Sequence, residues 1–138
     1  MSETRSVGID VSKDEVAVAV HGTGAAWTCA TTPAALHALV ARLQVEAPTV
    51  IVLEARGGYE MRVVAAGTTA GLPVAVVNPR QVRAFAQAVG QTATSEAINA
   101  HVLALFGAHV QPAIRALPDA ATPALAALVA RRRQLLEM

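Results

Sequence analysis

Apolar positions along this chain first alternate with polar or small ones and then settle into a longer period. Val7 and Ile9 alternate with small or polar neighbours, Ser12-Lys13-Asp14 interrupts, and Val16, Val18 and Val20 repeat with period two up to Gly22 and Gly24. Two such runs joined by a short polar turn predict a pair of antiparallel strands. A third short strand is expected through Trp27, Cys29 and Ala30. Thr32 and Pro33 then fit an N-cap followed by proline at the first helical position. Leu36, Leu39, Val40 and Leu43 recur at helical spacing, which predicts a helix over residues 33–46.

The run Val50-Ile51-Val52-Leu53 is continuous and mostly β-branched, as in a strand buried on both faces, and it ends at Glu54. Gly57-Gly58 permits a tight turn into a second helix over residues 59–70, and Val74 to Val77 form another buried strand. Asn78-Pro79 repeats the cap-and-proline signal for a third helix ending near Gly90. Thr94 or Ser95 caps a fourth, with Ile98, Val102 and Leu105 as its core stripe, and Thr122-Pro123 opens a fifth that ends at Arg131-Arg132-Arg133 and Leu135-Leu136. Three strands, then helix, strand, helix, strand and further helices predict an α/β fold, a mixed sheet with helices against its faces.

A length of 138 residues suits one domain, and 54% hydrophobic against 15% charged residues leaves little room for a disordered tail. The longest uncharged stretch, Val63 to Asn78, is broken by Gly67, Gly71 and Pro73, so it reads as helix end, turn and strand and not as a membrane span. Acidic residues at Glu3, Asp10, Asp14 and Glu15 spoil a signal-peptide reading, and a cytoplasmic location without membrane attachment is expected. Cys29 has no partner cysteine in the chain and reads as a buried thiol. A net charge of +1 decides nothing about nucleic acid, because phosphate binding depends on where the cations sit.

Candidate chemistry lies with the carboxylates. Asp10 ends the first strand and Glu54 the fourth; if those strands are neighbours, two anions crowd one edge of the domain and need a cation or proton between them. Hard divalent ions with oxygen ligands fit such a place. Glu96 and Asn99, three apart on the fourth helix, share a face along one flank of its core stripe and could look toward that edge. Taken singly, each has a plain reading: Asp10 as a turn residue, Glu96 as a favourable charge in a first helical turn, Asn99 as a surface amide. Glu54 is harder to dismiss, because a charge directly after a buried strand is costly unless exposed or paired. Arg80 and Arg83 could grip nucleic-acid phosphates, although a solvated helix face explains them as well. Arg131 to Arg133 suit a helix C-terminus, His21, His37, His101 and His109 show no zinc spacing, and so few aromatic residues offer no evident base-stacking platform.

Three segments carry a resemblance to a known family. Gly8-Ile9-Asp10-Val11-Ser12-Lys13, then Leu53-Glu54-Ala55-Arg56-Gly57-Gly58-Tyr59-Glu60, then Leu72 through Arg83 with Val77-Asn78-Pro79-Arg80 at its centre, resemble the successive motifs of the DEDD transposases of insertion-sequence family one-ten, related to the Piv invertases. The match in spacing continues to Leu128-Val129-Ala130-Arg131 and covers nearly the whole chain. The resemblance implies an RNase H-like (RuvC-like) domain over residues 1–118, with residues 119–138 starting the family's long helical segment. It also implies magnesium (Mg2+), or manganese, held by four acidic residues for DNA strand cleavage and exchange, with DNA and a guide RNA as partners.

Asp10 and Glu54 match the first two acidic positions and Glu96 the third, as metal ligands, while Asn99 stands where the fourth acid would be. The longer Glu96 and the neutral Asn99 predict weakened metal binding and weak or absent catalysis. Arg56 replaces a usual threonine and could pair with Glu54, partly substituting for metal, or point to solvent. Family members continue into a second domain with a serine nucleophile, so complete recombination by these residues alone is not expected. The stripe Leu125, Leu128, Val129, Leu135 and Leu136 is expected either to cover the sheet or to pack on another chain, the latter giving a homo-oligomer. Two alternatives stand beside this reading: a non-catalytic nucleic-acid-binding or oligomerising remnant, and a nucleotide-binding domain of the actin and sugar-kinase type, which lacks a second phosphate loop here.

Overall fold

The computed structural model describes residues 5–91 and 95–114. Strands β1 (Ser6–Val11), β2 (Glu15–Val20) and β3 (Ala26–Ala30) form an antiparallel meander. Helix α1 (Pro33–Glu46) leads to β4 (Val50–Glu54), α2 (Met61–Thr69) to β5 (Val74–Val77), and α3 (Pro79–Ala88) and α4 (Glu96–Val110) follow. The sheet order is β3-β2-β1-β4-β5, with β4 parallel to both β1 and β5. The mixed sheet with helices is therefore as the hydrophobic pattern predicts.

Local chemistry starts each helix. Thr32 accepts a hydrogen bond from the Ala35 amide at 3.2 Å, Asn78 from Arg80 at 2.8 Å and Ser95 from Ile98 at 3.2 Å. Each side-chain oxygen satisfies an amide that has no intrahelical partner. Helix α2 begins two residues later than expected, at Met61, because Gly58 and Tyr59 belong to the preceding turn and Glu60 takes the cap position. Gly67 in this helix lies against β5: a methyl there would stand 2.9 Å from Val74 Cγ2. Its cost in helix propensity is thus exchanged for close packing.

Alternation along the strands divides the core in two. Val7, Ile9, Val18, Ile51, Leu53 and Val74 meet Leu36, Leu39, Leu43 and Val63 from α1 and α2 on one face. Val50, Val52, Ala75 and Val77 meet Val82, Ala86, Leu103 and Phe106 from α3 and α4 on the other. Phe85 and Phe106 tie α3 to α4 edge to face, centroids 5.4 Å apart, and Arg42 of α1 lies 3.6 Å over the ring of Trp27 on β3.

The stripe expected on α4 needs correction. Val102 is buried as expected, but Ile98 and Leu105 are only half-buried, while Ala100, Leu103, Ala104 and Phe106 are fully inside. Small residues face the sheet because α4 lies close to β1. A Cβ on Gly8 would collide with the Ala100 carbonyl oxygen and the Ala104 nitrogen, and one on Gly107 would collide with Ser6 Oγ and stand 2.6 Å from Val52 Cγ2. Cys29 is half-buried, not fully buried as expected. Thr94, the fifth helix and the 119–138 segment with its apolar stripe lie outside the described residues. Among the described residues no helix is long and apolar enough to cross a membrane.

Candidate active site

Ile9 of β1 pairs with Leu53 of β4 in parallel register, so Asp10 and Glu54, next on each strand, stand side by side where both strands end. Period-two alternation turns both to the α4 face: Ser6, Gly8 and Asp10 share one side of β1, as Val50, Val52 and Glu54 share one side of β4. Asp10 is 2% exposed and Asn99 7%. Asn99, near the start of α4, donates from Nδ2 to Glu54 Oε2 at 3.0 Å. It does not lie on the flank of α4 as the periodicity suggested; the close approach at Gly8 places it on the sheet side.

The chain leaving β4 adds a cation. Gly57 and Gly58 take φ of 64° and 103°, a region that disfavours other residues, and fold the loop back on itself. The buried Glu60 carboxylate fixes this turn, with Oε2 accepting from the Arg56 amide at 3.0 Å and the Gly58 amide at 3.2 Å. Arg56 is thereby aimed at the carboxylates: its Nε is 3.5 Å from Asp10 Oδ1 and 3.4 Å from Glu54 Oε2. Of the two fates open to Arg56, pairing and not solvent is realised, and the pairing includes Asp10 as well as Glu54.

Asp10, Glu54 and Asn99 therefore meet. Glu96 supplies the first residue of α4, three residues before Asn99, and its side chain lies outside what the structure describes. Arg80 and Arg83 are exposed on α3, which leaves β5 next to β4 at the same sheet edge, and they are not drawn to the carboxylates. Glu60 was missed from sequence; a lone acid two residues beyond a Gly-Gly pair, able to reach back to amides of its own turn, was the available signal. A cleft of about 600 Å3 opens between the β1–β2 turn and the α2 entrance, on the α1/α2 side of the sheet and not lined by Asp10, Glu54 or Asn99; Ser12, Lys13, Asp14, Gly58, Tyr59 and Arg62 line it. Tyr59 is 54% exposed there, an aromatic surface that the composition had not suggested.

A family model described as Transposase, of the DEDD type of IS110, matches residues 7–138. The chain belongs to the DEDD transposase family. Two solved structures share the fold of this transposase domain. Thermus thermophilus RuvC in complex with a Holliday junction substrate superposes with a TM-score of 0.61 at 19% identity, over 78% of this chain and 94% of that one. A second structure of Thermus thermophilus RuvC gives 0.56 at 20% identity, over 78% and 98%. No curated protein sequence matches. The domain has the RNase H-like, RuvC-like fold and is the catalytic domain type of a DNA transposase or recombinase.

DEDD nucleases of this kind generally use divalent metal ions. Two adjacent carboxylates are a suitable donor pair for a hard ion. In the arrangement described, however, the Arg56 guanidinium stands against both, and Glu54 Oε2 already accepts from the Asn99 amide. A divalent ion does not fit between Asp10 and Glu54 beside that guanidinium.

Proposed function

We propose that this transposase domain acts on DNA at the edge formed by Asp10, Glu54 and Asn99, with Glu96 as the further acidic member. The convergence of two buried-strand carboxylates with a residue of α4 at one sheet edge supports this reading. DNA is the proposed partner; the RuvC relative carries a Holliday junction. Arg80 and Arg83 hold backbone phosphates to one side, and the cleft with Lys13, Tyr59 and Arg62 receives the strand on the other. Guide RNA as a second partner, a cytoplasmic location and self-association through residues 119–138, beyond the 1–118 domain, belong to the same proposal.

Magnesium, or manganese, is the cofactor that the family resemblance implies, and in two-metal sites such ions activate the attacking oxygen and stabilise the leaving one. The residues present do not fit such an ion while Arg56 stands against both carboxylates: Glu96 is one methylene longer than aspartate, Asn99 presents an amide nitrogen to Glu54, and Arg56 occupies the approach. Those same features favour a second reading, a DNA-binding domain without catalysis.

The test is binding of a branched DNA by the 138-residue chain at low salt, then incubation of the R56A/E96D/N99D variant with labelled DNA and magnesium or manganese. Binding by the parent and a gain of cleavage in the variant are expected. No gain leaves the non-catalytic reading, and absence of DNA binding refutes both.

A further inference from the structure

Two carboxylates side by side, one of them Asp10 at 2% exposure, repel each other unless a positive charge lies between them. The chain supplies that charge itself. Arg56 Nε lies within 3.5 Å of an oxygen of each, and its backbone is held by the Glu60 carboxylate, so the guanidinium is delivered by a built turn and not by a free surface side chain. A guanidinium remains charged across the accessible pH range, so the compensation does not titrate away. Asn99 completes the arrangement by turning its donor end, not its carbonyl oxygen, toward Glu54.

We infer that Arg56 is a tethered counter-cation: its guanidinium takes the position a divalent ion would need between Asp10 and Glu54, so it relieves their repulsion by offsetting one of the two charges without metal, and the site admits metal only when Arg56 is withdrawn. This deepens the reading of that edge as the reactive one. An incoming divalent ion meets a fixed positive charge a few ångströms away, and it must also compete for an oxygen that accepts from both Arg56 and Asn99. The Arg56 side chain is 45% exposed, so its removal opens the edge to solvent without emptying a sealed core.

The experiment is thermal unfolding and calorimetric manganese titration of the full 138-residue chain and of Arg56→Ala, in chelator and in millimolar manganese chloride. The parent's melting temperature should not respond to manganese. R56A should melt lower in chelator, recover with manganese, and bind the ion at least about tenfold more tightly than the parent, since a unit charge at this distance has been removed.

If R56A does not fold without metal, the variant E54Q/R56A, with one carboxylate fewer, should fold in chelator and gain no manganese affinity. Equal manganese affinity in parent and R56A overturns the inference, as does a double variant that stays unfolded. Both readouts are taken without DNA. A domain that ignores DNA but shows the R56A effect would sink the proposed function and leave the counter-cation intact.

Discussion

Replacing Gly8 with alanine puts one methyl where a helix backbone rests on a strand. The new carbon would lie 2.9 Å from Leu103 Cβ and closer still to the Ala100 carbonyl oxygen and the Ala104 nitrogen. Carbon atoms settle about 3.5–4.0 Å apart, so α4 must retreat from β1 by roughly 1 Å. Two of the three obstacles are backbone and cannot swing aside. Overpacking of this kind costs about 1–3 kcal/mol, and rigid neighbours place G8A at the upper end. Alanine recovers about 0.5–1 kcal/mol over glycine through lower chain entropy in the unfolded state. A net loss of about 2 kcal/mol follows.

The shift reaches the site as well. Asn99 Nδ2 now sits 3.0 Å from Glu54 Oε2. Lifting α4 by roughly 1 Å breaks that bond, because amide hydrogen bonds end near 3.2 Å. Urea unfolding gives the stability, and exchange of the Asn99 side-chain amide protons by NMR reads the bond. A G8A protein with an unchanged urea midpoint and protected Asn99 protons would refute the close packing of α4 on β1.

Glu60→Ala orphans the Arg56 and Gly58 amides and should cost about 1.5–3 kcal/mol in urea unfolding, the range for hydrogen bonds to a charged group; a loss under about 0.5 kcal/mol contradicts the role given to this carboxylate. The double variant R80A/R83A should weaken DNA binding about equally on all sequences and reduce the salt slope by roughly one to two, read by binding isotherms across salt; an unchanged slope removes these arginines from the interface. Partial burial pushes the Cys29 thiol above its usual value. The native chain therefore forms thiolate later than the unfolded one as pH rises, so the associated stability is complete below the ordinary thiol value and is lost on climbing through the raised one. Iodoacetamide should alkylate the native protein more slowly than the urea-unfolded chain at mildly alkaline pH, and equal rates would contradict this.

Most of the fold was legible because its signals are local. Thr32, Asn78 and Ser95 announce helix starts through their own side chains, and the valines of β1, β2 and β4 alternate or run together according to how many faces are covered. The position of α4 was not legible from its hydrophobic spacing, since Ile98, Val102 and Leu105 outrank Ala100, Ala104 and Gly107 on any apolar scale. What decides its seat is the space left by Gly8, a property of two segments some ninety residues apart.

The candidate site divides the same way. The meeting of Asp10 with Glu54 follows from parallel strand ends. The choice Arg56 makes between solvent and carboxylate depends on the Glu60 turn, which no periodicity reveals.

The central strand β1 has one neighbour that arrives early and two that arrive late. Its hairpin partner β2 is three residues away, but Ser6 must wait for Val50 across an excursion of more than forty residues, and α4 comes later still. Long excursions are entropically slow to close. During synthesis Asp10 is consequently bathed in water with neither Glu54 nor Asn99 at hand, so the crowding of charge at this edge waits until both β4 and α4 have joined β1.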